Sequence, residues 1–410
     1  MSTSTSDPLR PARLEPAEEF SFAQAVSRHF HEDDSEEDTQ RWVSAIADRR
    51  AYRAWVSRDG AAIVGNLGVF VTTLSLPGGS TVPVTAITAV GVAQTHRRRG
   101  ILRGLMNACL DEAIELGEPV ASLFASEAPI YGRYGFGVSA PSVRYRLDRA
   151  HSQLRDPVDP RLVEPATPQQ AVEMFPPVLE VLRAQRSSVG FSDFRWQLNF
   201  GDDPPSKRHG ASGLRLVHVP GRGYASYRIK DKWVDGLPSG VVRVQDLVAT
   251  DADAEAALWQ HVCDIDLTST IEAGLRPPDD ALPASLVDRS RTRAADDMPL
   301  YTCLLDVPGA LTARAYAAEG STVFSVHDVP GHNDAKYRLE VGADGAECVP
   351  TAATPDLELS GADLSAVWLG GVRTTQLLAA RRVVEHRPGA AAGLDRLFAV
   401  DRAPWTPFIF

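Results

Sequence analysis

One stretch constrains this chain more than any other: Val90-Gly91-Val92-Ala93-Gln94-Thr95-His96-Arg97-Arg98-Arg99-Gly100-Ile101-Leu102-Arg103. Before it, Thr81–Val92 is a β-rich run. After it, Leu102, Leu105, Met106, Cys109 and Ala113 recur at three or four, the stripe of an amphipathic helix. The stretch is therefore a strand–loop–helix junction, where backbone N–H groups at the helix start point at whatever binds there. Gly100 lets an anion approach the backbone, and Arg97, Arg98, Arg99 and Arg103 place four cations within seven positions. Such a junction suits a pyrophosphate better than a solvated basic helix start or a targeting cluster. The fingerprints GxGxxG and GxxxxGK[ST] are both absent, which excludes the Rossmann and P-loop solutions.

The arginines stand out because the chain is acidic, with 42 Lys and Arg against 53 Asp and Glu, a formal charge of −11. That balance disfavours a nucleic-acid or membrane-surface role and favours cationic ligands. At 410 residues and 44% hydrophobic content, there is chain for about three domains with real cores. No apolar run approaches the ~18 residues of a membrane span. Met1 to Pro8 has no apolar core of a secretory signal, so a cytoplasmic location is expected. Cys109, Cys263, Cys303 and Cys348 are too scattered for a metal motif and read as reduced core thiols. His29 with His31, or His327 with His332, lacks a third ligand, so no metal is expected.

The organisation is mixed α/β. Ala61–Asn66, Val69–Leu76 and Thr81–Val92 read as an antiparallel meander turned at Pro77-Gly78-Gly79-Ser80, and Val120–Ala125 as a buried strand after the helix. Asp156 to Pro168 reads as a linker. A second unit repeats part of the plan, with strands at Tyr224–Ile229 and Gly240–Ala249 and a helix at Glu255–Ile265. Its junction is Thr250-Asp251-Ala252-Asp253, whose carboxylates would repel phosphate, so it keeps the architecture without the ligand. In a third region Leu304–Val307, Thr322–His327 and Tyr337–Val341 look like strands, and Leu364–Gly370 and Thr374–Arg381 look helical. The chain ends Pro404-Trp405-Thr406-Pro407-Phe408-Ile409-Phe410, an aromatic terminus expected to be docked.

Val90–Arg103 resembles the acetyl-CoA pyrophosphate loop of the GNAT acetyltransferases, Q/R-x-x-G-x-G/A, matching at Arg97 and Gly100 and departing at Leu102. Thr95–Gly100, Ala125-Ser126-Glu127, Ile130-Tyr131-Gly132-Arg133-Tyr134-Gly135-Phe136-Gly137 and a terminal Phe410 resemble the Eis (enhanced intracellular survival) family of aminoglycoside N-acetyltransferases. The resemblance implies tandem GNAT-like domains followed by a sterol-carrier-protein-like domain: 1–155 for the acetyltransferase, 156–297 for a GNAT-like domain without a cofactor, and 298–410 for the last. It also implies hexamers and acetyl-CoA as donor.

By the same resemblance, Val90, Gly91 and Val92 lie on the strand whose backbone pairs with pantetheine. Arg97, Arg98, Arg99, Gly100, Ile101, Leu102 and Arg103 form the pyrophosphate loop, and Ser126 and Glu127 add cofactor contacts. Tyr131 is the general acid, with Tyr134 its rival, and the α-carboxylate of Phe410 is the general base. The chemistry asks for both, because an ammonium must lose a proton before it attacks a thioester and the departing thiolate must gain one. A phenol of pKa ≈ 10 stays protonated at neutral pH.

Glu32-Asp33-Asp34-Ser35-Glu36-Glu37-Asp38 places six carboxylates in seven positions, either a solvated face or part of an acceptor mouth. Phe30, Glu32, Trp42, Thr88 and Phe124 are the acceptor candidates. Ile409 and Phe124 stand where relatives carry polar residues and make the pocket less polar. The expected activity is N-acetylation of polycationic amines such as aminoglycosides. A protein lysine or polyamine acceptor, or a non-enzymatic apolar-ligand-binding protein, is the alternative.

Overall fold

The computed structural model describes residues 9–46, 51–327 and 333–410, so Met1 to Pro8 and His332 fall outside the described residues. Among the described residues, three sheets of five or more strands organise the chain, beside one two-stranded hairpin. The first runs Ala12–Arg13, Tyr52–Asp59, Ala62–Ser75, Thr81–Val92, Val120–Phe124, Leu300–Leu304, Gly137–Ala140. The runs read as two strands at 61–66 and 69–76 are one strand, Ala62–Ser75, because the apolar run continues across Leu67 and Gly68. Pro77–Ser80 turns it back onto Thr81, with both Gly78 and Gly79 at positive φ. The helix Ile101–Glu115 buries Ile101, Leu105, Met106, Cys109, Leu110 and Ala113 against this sheet. Its stripe thus starts one residue earlier than read, and Leu102 is only half-buried.

The second sheet runs Arg293–Asp296, Val143–Asp148, Thr268–Arg276, Gly240–Ala249, Gly223–Lys230, Arg215–Val219, Glu164–Pro165. The third has five strands, Gly345–Pro350, Ala335–Gly342, Gly320–His327, Leu357–Ser360 and Val384–Glu385. Strands are exchanged at both joins. Leu300–Leu304 inserts between Val120–Phe124 and Gly137–Ala140 of the first sheet, and Val143–Asp148 crosses into the second. The ranges 1–155, 156–297 and 298–410 therefore do not coincide with sheet membership. The segment read as a linker supplies the edge strand Glu164–Pro165. The strand expected at 304–307 sits at Leu300–Leu304, because Pro308 opens the short helix Val307–Thr312.

The third lobe stacks tightly on the first. A Cβ on Gly137 would stand 1.9 Å from the Ala362 carbonyl oxygen, so only glycine permits this approach. All four cysteines are buried and free. Among the described residues no helix is long and apolar enough to cross a membrane.

Candidate active site

The site begins where two parallel strands part. Thr81–Val92 pairs with Val120–Phe124 only as far as Ile87 opposite Leu123. At the closed end Arg53 and Glu118 form a buried ion pair at 2.6 Å, and the Thr85 hydroxyl donates to the same carboxylate. Among the described residues no comparable ion pair spans the open end. There the antiparallel ladder to Ala62–Ser75 slips by one residue, and Ala89 adopts φ +50°. The buried Asn66 side chain holds this bulge by donating to the Ala89 carbonyl, while its oxygen meets Nδ1 of His29. Val90 and Val92 pack toward the helix Ile101–Glu115. Gly91 has no side chain because a Cβ there would meet the His29 Cβ at 2.7 Å.

The loop then curls twice through left-handed backbone, at Arg98 (φ +62°) and at Gly100 (φ +81°), which stands as the N-cap of the helix without any side-chain cap. Turns of this kind form concavities of backbone N–H groups that bind anions. A Cβ on Gly100 would meet nothing nearer than 3.8 Å, so conformation, and not crowding, requires glycine. His96 ties the loop down through Asp59 at 3.0 Å. Arg97, Arg98, Arg99 and Arg103 are exposed, and their guanidiniums make no ion pair or hydrogen bond with another described residue. Four uncommitted cations around an uncapped helix start fit a diphosphate. Ser126 and Glu127, both exposed, follow the other lip.

Tyr131 lies in the short 3₁₀ segment Ala128–Tyr134 and is buried against Leu123 and Phe136, whose ring is 6.2 Å away. Burial, with help from Glu127, pushes its phenol up to about 12. Tyr134 is also raised by burial, but Arg133 and Arg103 pull it back. Tyr131 is therefore the firmer proton reservoir of the two.

The C-terminal segment is buried from Pro404 to Phe408, and Phe410 is half-buried. The Phe410 ring packs edge-on to Phe124 with centroids 5.1 Å apart, so the last residue reaches the open end of the strands. Phe70, Ala86, Phe191, Arg195 and Phe408 line a small recess beside it. Arg195 lies 4.6 Å from the Phe70 ring and donates to the Ile409 carbonyl at 2.7 Å. Trp42 and Phe410 pack on one cluster with Tyr52 and Phe70. Thr88 is half-buried just beyond the last paired residue.

Phe30 and Glu32 lie outside that cluster, exposed at the end of the helix Glu19–His29. Burial and Asp34 raise the Glu32 carboxyl, while His209 of the second lobe lowers it. Much of the acidic run is used structurally. Asp38 accepts from Ser35, Ser206 and Arg41, and Glu37 pairs with Arg41 at 2.6 Å. Phe70, Phe191 and Arg195 had no signal in the sequence, since each is a lone residue in an ordinary stretch.

Residues 10–139 match one acetyltransferase (GNAT) domain family and residues 191–301 a second, while residues 307–407 match the sterol carrier protein domain. A protein of Streptomyces avermitilis named as an uncharacterized N-acetyltransferase is 38% identical over 92% of this chain and 93% of its own. The N-acetyltransferase Eis of Mycobacterium tuberculosis is 32% identical over 87% of this chain and 89% of its own. The crystal structure of Eis1 from Mycobacterium abscessus superposes with a TM-score of 0.84 at 31% identity, covering 98% of this chain and all of that one.

Proposed function

This chain belongs to the Eis family of GNAT N-acetyltransferases, and from that premise we propose that it acetylates amines of polycationic small molecules such as aminoglycosides, at more than one position, as a hexamer. Acetyl-CoA supplies a thioester whose acetyl group an unprotonated amine can attack. Arg97, Arg98, Arg99 and Arg103, with the backbone around Gly100, hold the diphosphate. Ser126 and Glu127 flank the cofactor from the opposite lip. The backbone of Val90, Gly91 and Val92 offers strand-like hydrogen bonds to the pantetheine arm and polarises the thioester carbonyl. The Phe410 carboxylate takes the proton from the acceptor ammonium, and the Tyr131 hydroxyl delivers one to the leaving sulfur. Glu32, Phe30, Trp42, Thr88 and Phe124 border the acceptor.

The observation that carries this reading is that the loop with four uncommitted arginines leaves one of the parting strands, while the docked terminal residue packs on Phe124 at the end of the other. Mass spectrometry of kanamycin, spermidine and a lysine peptide, each incubated with enzyme and acetyl-CoA, tests it. Two or more acetyl increments on kanamycin are expected. Modification of the peptide alone moves the acceptor to proteins, and no modification of any amine overturns the reading.

A further inference from the structure

The second lobe repeats the splay of the first and closes it in its own way. Parallel pairing between Gly240–Ala249 and Thr268–Arg276 ends at Val244 opposite Ala273, after which the strands part as they do beyond Ile87 and Leu123. A one-residue slip in the neighbouring antiparallel ladder accompanies both openings. In the first lobe the lips stay open. In the second, the Arg276 guanidinium donates to the Leu247 carbonyl on one lip and the Trp405 indole N–H donates to the Leu275 carbonyl on the other. Arg276 also lies 5.0 Å from the Trp405 ring, so the two side chains fill the gap together. The helix start beyond it is capped by Asp251, itself paired with Arg222, which leaves no place for a phosphate.

Trp405 is one of a row of fixings along the tail. Its backbone N–H donates to the Ser187 carbonyl at 2.8 Å, and the Thr406 hydroxyl oxygen accepts from the Val189 N–H at 3.1 Å. The Phe408 ring lies 4.2 Å from Phe191, and Arg195 holds the Ile409 carbonyl. The stretch 187–195 that receives the tail also docks on the first sheet, with the Gly190 N–H donating to the Thr73 carbonyl at 2.7 Å. The tail is thus anchored in one lobe and delivered to the cleft of the other.

We infer that the second lobe's splayed strands are a socket for the C-terminal tail, and that Trp405 and Arg195 are positioning residues which set the Phe410 carboxylate in the first lobe's cleft. The inference rests on Phe410 acting as the base. It assigns the second lobe a part in catalysis: the opening that would admit a pantetheine arm admits the chain's own tail.

Two full-length variants test it, Trp405→Ala and Arg195→Met, treated with a carboxypeptidase that prefers aromatic C-terminal residues and followed by intact mass. Phe410 should be removed at least about tenfold faster than from the parent. Turnover should fall by roughly 10- to 100-fold, the scale of a misplaced catalytic group, with the KM for acetyl-CoA within about twofold of the parent. Arg195→Lys, which keeps a donor, should recover protection and turnover together. Circular dichroism and thermal melts compare each variant with the parent, and Arg195→Lys, which keeps a long cationic side chain between the Phe70 and Phe191 rings, separates lost positioning from lost packing. Unchanged trimming of Phe410 in both variants overturns the socket. Rapid trimming with full turnover keeps the socket and removes the carboxylate from the mechanism.

Discussion

At the scale of single residues, the site depends on groups whose surroundings prepare them before any ligand arrives. Tyr131 is the clearest case. Desolvation penalises its phenolate, and the nearby Glu127 adds to the penalty, so the proton is held up to about pH 12. A donor with that affinity remains loaded wherever the enzyme is assayed. The expected outcome is a kcat that shows no loss from this group up to about pH 9.5, and a Tyr131→Phe variant lowered by roughly 10²- to 10⁴-fold with unchanged acetyl-CoA affinity. Stopped-flow turnover across pH with calorimetric binding checks both. A full-activity phenylalanine variant would pass the role to Tyr134. Gly100 and the arginines were legible directly, because a left-handed, uncapped helix start and its cations occupy adjacent positions in the chain. Arg195 was not, because its importance lies in what it touches.

At the scale of elements, the two lobes use the same strand pair for opposite ends. The equivalent of Gly91, by its place beyond the bulge, is Asp246 in the strand Gly240–Ala249, where the Ser226 hydroxyl donates to its carboxylate. Burial raises this carboxyl from 3.8 to about 6. A raised acid favours the folded state only while protonated. The unfolded chain loses that proton near 3.8, so the fold becomes progressively weaker as pH rises from about 4 to 6 and stays weaker above. Asp246→Asn removes the charge and keeps an acceptor for Ser226. It is expected to be more stable than the parent by about 1–3 kcal/mol at pH 7.5 and nearly equal to it at pH 4, since each tenfold difference in proton affinity between the folded and unfolded chain is worth about 1.36 kcal/mol. Denaturant melts at the two pH values read this directly, and an equal difference at both would refute it. The strand exchanges at Leu300–Leu304 and Val143–Asp148 belong to this scale too. Each strand has ordinary β composition, so its sheet is chosen by which edge is open to it after the chain has folded back.

At the scale of the whole molecule, the hairpin Trp233-Val234-Asp235-Gly236-Leu237-Pro238 extends from the second lobe with Trp233 56% and Leu237 67% exposed. Apolar side chains of that size on a projecting turn suit contact between subunits. In the proposed hexamer, Leu237→Asp combined with Trp233→Ser should lower the assembled mass measured by light scattering. It should leave the melting temperature of the subunit within a few degrees, since neither residue is in a core. An unchanged mass would place the contact elsewhere.

Reading along the chain was enough to establish the arginine-rich loop with its glycine, the helix behind it, the acidic cap that replaces that loop in the second unit and the docking of the aromatic terminus. Each of these depends on residues within one or two turns of chain, where period, glycine and charge act on their own neighbours. Three-dimensional packing was needed to bring the tail across the second lobe's splay to Phe124, to set Asn66 and His29 against the bulge at Ala89, and to send strands from one sheet to another at both joins. These are contacts between segments far apart along the chain. Local pattern states which surfaces must be buried, and the closing of long loops around a shared core settles which of them meet.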